Sequence, residues 1–169
     1  MLPRKLKNFN LFVDGVGFAG RVVEVQLPKL SRKMEELRAG GMNAPVEIDM
    51  GMEKLTSEFT LAEFTRDILE QFGTTDTNAS NLRFRGALLA DDESNKTDAV
   101  EITMRGRWSE IDRGSAKAGD NTDMKVAVAC TYYKETLNGE TLIEIDVINM
   151  KEVVGGVDRL ESQRDALGI

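Results

Sequence analysis

Carboxylates supply most of the side chains that could do chemistry in this chain. Glu110 with Asp112 and Glu144 with Asp146 stand two residues apart, which puts each pair on one face of a strand. There they could chelate a hard cation or serve as the acid and base of a glycosidase. Neither pair has a third convergent group, so a solvated or cavity-facing charged row is the simpler reading. Asp91-Asp92-Glu93 reads as a loop. Gly15-Val16-Gly17-Phe18-Ala19-Gly20 matches the dinucleotide fingerprint, which needs a following helix to aim its N–H groups at pyrophosphate. Val22-Val23-Glu24-Val25 and Leu27-Pro28 follow instead. These favour a strand, so a glycine-rich turn is expected and no nucleotide or other cofactor.

The chain has no histidine, which excludes Ser-His-Asp and Cys-His chemistry and imidazole metal ligands. Its one cysteine, Cys130, sits in the apolar run Val126-Ala127-Val128-Ala129-Cys130 and is expected to be a buried structural thiol. Basic residues number 22 against 29 acidic ones, for a net charge of −7. Arg83, Arg85, Arg105 and Arg107 could form a basic strip, but a surface this acidic would repel nucleic acid, and ion pairs across strands account for them better. With 169 residues, 41% of them apolar, one folded domain is expected. The basic start Met1–Lys7 breaks at Asp14-Gly15 before any adequate apolar run, and no segment is long enough for a membrane helix, so synthesis in the cytoplasm is expected.

The elements are mostly strands. Val100, Ile102, Met104, Gly106 and Trp108 alternate with polar residues, as do Met124, Val126, Val128, Cys130 and Tyr132, the period of a sheet covered on one face. Asn138-Gly139 lies between the second run and Ile143, Ile145 and Val147, and predicts a type I′ hairpin. Upstream, Val23, Val25 and Leu27 form one row. Val46, Ile48, Met50 and Met52 form another, and a parity switch at Leu55, Ser57 and Phe59 implies a bulge near Gly51. Together these arms predict a long polar hairpin connected through Arg38-Ala39-Gly40-Gly41-Met42-Asn43-Ala44-Pro45. A helix is predicted over 61–72, with Leu61, Phe64, Ile68, Leu69 and Phe72 on one face. Its signals are a Thr60–Glu63 capping box, a Phe59–Phe64 staple and Gly73 at its end. A second short helix is predicted within 157–168, between Asp158 and Gly168. Polar loops are expected at 74–81, 91–98 and 113–121.

Leu27-Pro28-Lys29-Leu30, Arg38-Ala39-Gly40-Gly41-Met42, Ala44-Pro45 and Ile48-Asp49-Met50-Gly51-Met52-Glu53 resemble the major tail tube proteins of P2-type contractile phages and of R-type pyocins. The likeness continues through Phe84-Arg85-Gly86, Arg105-Gly106, Glu110-Ile111-Asp112, Lys117-Ala118-Gly119, Tyr132-Tyr133-Lys134, Glu144-Ile145-Asp146, Gly156-Val157-Asp158 and Leu167-Gly168-Ile169. It spans nearly the whole chain and is weakest at 74–81 and 91–98. No fragment is a catalytic signature. The resemblance implies a mainly β fold with one packed helix, a β-sandwich or half-barrel closing into a hexameric ring with a continuous inner barrel. Rings would stack into the inner tube of a virion tail or tail-like particle, assembled in the host bacterial cytoplasm. Implied partners are further copies of the chain, the sheath protein, a baseplate or tube initiator, a tape measure protein, and DNA passing without specific binding.

Open sheet edges in a strand-rich domain fit this independently, because ring closure pairs each edge with a neighbour. Segment 38–45, with Arg38, Gly40, Gly41, Met42 and Pro45, and a mobile N-terminal arm over 1–10 are expected to make the contact between rings. Glu24, Glu35, Glu47, Asp49, Glu53 and Glu58 are expected to face the lumen, where an acidic wall would not hold phosphate. The alternatives are a type VI secretion ring protein, a carboxylate-based hydrolase on a β scaffold, or a monomeric binding module.

Overall fold

The two longest alternating runs set the frame. In a computed structural model describing residues 2–92 and 95–169, they become β8 (Thr97–Asp112) and β9 (Met124–Leu137), paired along their lengths. The other strands are β1 (Lys5–Val13), β2 (Val16–Gly17), β3 (Val22–Gln26), β4 (Arg32–Leu37), β5 (Val46–Met52), β6 (Leu55–Leu61), β7 (Ser80–Leu89), β10 (Glu140–Asp146), β11 (Lys151–Val154) and β12 (Val157–Asp158). Two short helices are α1 (Arg66–Leu69) and α2 (Glu161–Leu167). Ten strands form one sheet in the order β12-β11-β10-β9-β8-β7-β1-β2, with β6 and β3 branching from β9; β4 and β5 form a separate pair. All the pairings are antiparallel.

The branch arises at Thr131. Residues Met124–Cys130 of β9 pair with β6, and Tyr132–Leu137 pair with β10. Thr131 itself is the extra residue of a bulge against Arg105 and Gly106, and a second bulge falls at Ser109 of β8. Bulges bend the strands that carry them, so β8 and β9 pass from one layer, with β7 and β10, into another, with β6 and β3. Leu11, Phe59, Leu61, Leu82, Met104, Trp108, Met124, Val126 and Val128 are buried in one cluster; Met104, Trp108, Met124, Val126 and Val128 are where alternation put them, but the bulge at Thr131 shifts the row so that Tyr133, and not Tyr132, is the buried tyrosine. Cys130 joins them, and burial pushes its thiol up to about 12. The Trp108 and Phe59 rings pack edge to face with centres 5.4 Å apart, and the Trp108 Nε1 donates to the Ile68 carbonyl at 3.0 Å, so α1 closes one end of the core.

The Asn138-Gly139 turn has φ of +51° and +84°, the left-handed pair that a type I′ turn requires. Gly51, with φ +109°, lies within the register shift of β4 on β5, where the parity switch placed a bulge. α2 ends at Gly168 in the left-handed conformation, as anticipated.

Three expectations are corrected. The helix over 61–72 is only Arg66–Leu69, because the β6–β9 ladder holds the chain extended as far as Leu61 opposite Met124. Thr60 is therefore a buried strand residue, no capping box forms, and Glu63 instead accepts from Arg21 at 3.1 Å. Phe64 and Phe72, expected on the core face, are 50% and 58% exposed. The N-terminal arm is not free: Lys5–Val13 pairs with β7, and Arg4 forms an ion pair with the buried Asp98. Met1 of that arm, and Glu93 of the acidic loop, lie outside the described residues. Finally, Val23 is exposed, because a bulge between Val22 and Glu24 breaks the Val23-Val25-Leu27 row. No helix among the described residues is long and apolar enough to cross a membrane.

Candidate functional site

Within the layer β3-β6-β9-β8 every strand runs opposite to its neighbour. β7 covers β8 only as far as Gly106, so from Arg107 to Asp112 the other edge of β8 has no strand beside it among the described residues. β3 likewise pairs only with β6. The layer thus carries one unfilled edge on each side. Unpaired N–H and C=O groups on a strand edge are a template for another chain.

The outward face of this layer is set by register. Glu24 lies opposite Thr60, Gln26 opposite Glu58, Glu58 opposite Ala127, and Glu110 and Asp112 opposite Ala127 and Lys125. Directly opposed residues share a face, so Glu24, Glu58, Glu110 and Asp112 share one surface, with Lys125 and Arg107 as its cations. The first two were lumen candidates. The others belong to a pair first considered for metal chelation, yet among the described residues no group of His, Cys, Asp or Glu is arranged to hold a metal ion.

β4 and β5 stand apart. Arg38, Gly40, Gly41, Met42 and Pro45 lie in the connection at the hairpin tip, where Met42 folds back so that its sulfur accepts the Ala39 N–H at 3.2 Å. Leu37 faces Val46 and Glu35 faces Ile48, whereas Glu36 faces Glu47 and Met34 faces Asp49. Glu35 is therefore on the opposite face from Glu47 and Asp49, and these three do not form one acidic wall. Met34, Leu37, Val46, Ile48 and Met50 are each between 41% and 54% exposed, so neither face is covered. Glu53 sits below the hairpin and donates its backbone N–H to the Ser31 carbonyl at 2.8 Å.

Arg32 fastens the base. It forms an ion pair with Asp49 across the hairpin and another, at 2.5 Å, with the buried Glu152 of β11. The Gly51 N–H and the Arg32 guanidinium together hold the Asp49 carboxyl below its usual range.

Two arginines of the basic strip are ion-paired and two are not. Arg83 and Arg85 both reach Glu101, at 3.7 and 3.4 Å, the cross-strand pairing expected. Arg105 instead lies 3.9 Å over the Tyr132 ring, and Arg107 donates to the Thr74 and Thr75 carbonyls. Glu144 pairs with Lys151 at 2.9 Å and is committed to structure.

Sequence reasoning missed the free stretch of β8, because how far β7 reaches is not encoded in β8. It also missed the opposition of Glu36 and Glu47, although counting back from the Arg38–Pro45 connection would have found it. The Arg32–Glu152 contact has no local signal.

Open strand edges and a hairpin outside the main sheet are the features that a comparison with known proteins must account for. The phage tail tube protein FII family matches residues 3–168, and the chain belongs to that family. It is 43% identical to the tail tube protein of Escherichia phage P2 over 99% of both chains. To the major tail tube protein of Serratia phage KSP20 it is 36% identical, over 88% of this chain and 85% of that one. Its fold resembles a chain of the PVC extracellular contractile injection system sheath-tube complex, with TM-score 0.59, 10% identity and 79% and 91% coverage. It also resembles a chain of that system's sheath/tube terminator, with TM-score 0.61, 11% identity and 80% and 98% coverage. The family assignment makes this a tail tube protein of the contractile type.

Proposed function

We propose that copies of this chain join side by side into a hexameric ring by pairing the free edge of β3 on one copy with Arg107–Asp112 of β8 on the next. The observation that carries this is the strand count between those edges. β3, β6, β9 and β8 alternate in direction, so β8 of one copy meets β3 of the following copy antiparallel, and the alternation continues around a cyclic ring without a fault. An odd number of strands would force a parallel joint at each seam.

Six copies give a barrel of roughly two dozen strands. At ~4.8 Å strand spacing and ~40° tilt its circumference is about 150 Å and its diameter about 48 Å, wide enough for a nucleic-acid duplex once side chains are counted. Glu24, Glu58, Glu110 and Asp112 then line the bore, where the carboxylates repel phosphate and so keep a passing duplex from adhering. Stacked rings form the tube of a virion tail or tail-like particle, inside a sheath protein, begun on a baseplate or initiator and set in length by a tape measure protein, with synthesis and assembly in the host cytoplasm. The role is mechanical and not enzymatic: the Glu144–Asp146 pair lacks a third group, and Glu144 is held by Lys151.

Negative-stain electron microscopy of the purified chain tests this. Hollow rings or rods are expected, and a strict monomer in sedimentation at every concentration would refute it.

A further inference from the structure

We infer that Asn138 is a site of spontaneous deamidation, and that its conversion to aspartate or isoaspartate loosens the N-terminal strand by setting a second carboxylate against the buried Asp98. The inference concerns the single chain and stands whether or not copies assemble into rings.

Asn138-Gly139 is the one Asn-Gly step in the chain, and every other asparagine precedes a residue with a β-carbon. A β-carbon crowds the backbone nitrogen that must attack the asparagine side chain, and glycine has none. In the reaction a bond forms from the Gly139 nitrogen to Asn138 Cγ while the Cγ–Nδ2 bond breaks. The Gly139 nitrogen gives up its proton, Nδ2 leaves as ammonia, and water opens the resulting succinimide at either carbonyl to give aspartate or isoaspartate. Asn138 is exposed between β9 and β10, but its amide is occupied. Oδ1 accepts the Ala99 N–H at 2.9 Å, Nδ2 donates to Asp98 Oδ1 at 3.0 Å, and the Asn138 backbone N–H donates to the Ala99 carbonyl at 2.8 Å. While both ends of the amide are held against β8, Cγ is not presented to the Gly139 nitrogen, so the reaction waits for the turn to open. Local opening of an exposed hairpin end costs far less than global unfolding.

The consequence falls on Asp98. Its carboxylate is buried, with Oδ2 paired to Arg4 and Oδ1 taking the Asn138 amide. After conversion the group facing Oδ1 accepts hydrogen bonds and donates none. A buried acceptor has lost its donor, and two carboxylates repel across the same contact, with the half-exposed Arg4 as their cation. The turn itself tolerates aspartate, because Asp-Gly suits a type I′ turn as Asn-Gly does. Isoaspartate also lengthens the backbone of the turn and so disturbs the register of Glu140 opposite Leu137. Asp98 relieves the repulsion by moving toward water, which breaks the contact fixing Arg4 just ahead of β1. The change is one-way, since the ammonia has left.

Warming the purified full chain at mildly alkaline pH, folded and in urea, tests both halves. Peptide mapping by mass spectrometry should find Asn138 converting ahead of every other asparagine, and several-fold more slowly in the folded chain than in urea. Converted molecules, separated on ion exchange by their added negative charge, should be cut by trypsin after Arg4, Lys5 and Lys7 several-fold faster than unconverted ones. Asn138→Asp should be cut faster than Asn138→Gly, which keeps the turn and loses the same amide but adds no carboxylate; circular dichroism checks that both fold. Another asparagine converting first in the folded chain, or Asn138 converting equally fast in both conditions, overturns the modification site and its gating. Equal cutting of converted and unconverted molecules, or of the aspartate and glycine variants, overturns the coupling to Asp98.

Discussion

Gly106 leaves no room for a side chain between β8 and β9, and replacing it with alanine should be disproportionately costly. A Cβ built there would stand 2.2 Å from the Ala129 carbonyl oxygen, 2.9 Å from its carbon and 3.0 Å from the Cys130 Cα. All three are backbone atoms of the partner strand, so no rotamer change relieves the clash and the strands must separate. They are held together there by the Arg105–Gly106 bulge against Thr131, whose hydroxyl reaches Asn78 and the Arg105 carbonyl. Overpacking of this kind costs about 1–3 kcal/mol, and one weakened ladder bond adds about 1, so a loss of roughly 2–4 kcal/mol is expected. At ~2–4 °C per kcal/mol for a chain of this size, the midpoint of thermal unfolding should fall by about 4–16 °C. Gly40→Ala is the control, because a Cβ at Gly40 meets nothing within 4 Å. It should change stability by less than ~1 kcal/mol, in the stabilising direction if at all. If circular dichroism melts of the two variants coincide, the strands are not as close as the bulge requires and the reasoning about how β9 forks fails.

Other expectations follow from single sites. Gly139→Ala forces a side chain into φ +84° and should cost about 1–2 kcal/mol in urea unfolding; a neutral result would mean the β9–β10 turn is not type I′. The Cys130 thiol, buried and pushed up to about 12, should react with a disulfide reagent at mildly alkaline pH only as fast as the chain unfolds, because the thiolate is the nucleophile; prompt labelling of the folded chain would contradict its burial. The Asp49 carboxyl is lowered from 3.8 by the Gly51 N–H and by Arg32. A group depressed on folding stabilises above its unfolded value, and that contribution disappears as pH falls through the folded one. Hydrogen exchange of β4 and β5 amides, corrected for intrinsic rate, should therefore be flat from neutral pH down to about 4 and accelerate below 3.8, and Asp49→Asn should remove the step. Acceleration between pH 7 and 5 would assign the tether to another group.

Most of the fold was legible because alternation is a direct consequence of burying one sheet face. The rows through Met104, Trp108, Val126 and Val128 are the core, and Asn138-Gly139 makes the turn its chemistry dictates. The helix failed for an instructive reason. Thr60, Glu63 and Gly73 are sound local signals, but residues up to Leu61 are claimed by a ladder to β9 that lies more than sixty positions downstream, and tertiary pairing overrides propensity. The same displacement put Phe64 and Phe72 on the outside. Assembly surfaces were legible only in part. The connection 38–45 stands at a hairpin tip as read, but grouping Glu35 with Glu47 and Asp49 ignored register, which assigns opposed residues to one face and puts Glu35 on the other. A one-residue change of pairing reverses every side chain, and in an exposed, two-sided hairpin that choice is read from the length of the Arg38–Pro45 connection and not from the apolar pattern.

The two halves of this ribbon differ in how far the chain itself satisfies them. A two-stranded pair is marginal in water, and this one has apolar residues on view, a carboxylate facing a carboxylate, and one side chain, Arg32, pairing its base with the buried Glu152 of β11. By itself that is a poor structure. Yet β3 and β6, which continue the same ribbon inside the sheet, are well ordered by Phe59 and Leu61 in the core and by the ladder to β9. The ribbon is thus anchored along β3 and β6 by the core and left uncovered along β4 and β5. If rings close through the first half and stack through the second, lateral assembly needs only the folded monomer, whereas the hairpin gains its missing partners when a facing end is present. Elongation from an existing end is then favoured over association of free copies through their hairpins, which is the behaviour a tube begun at a fixed base requires.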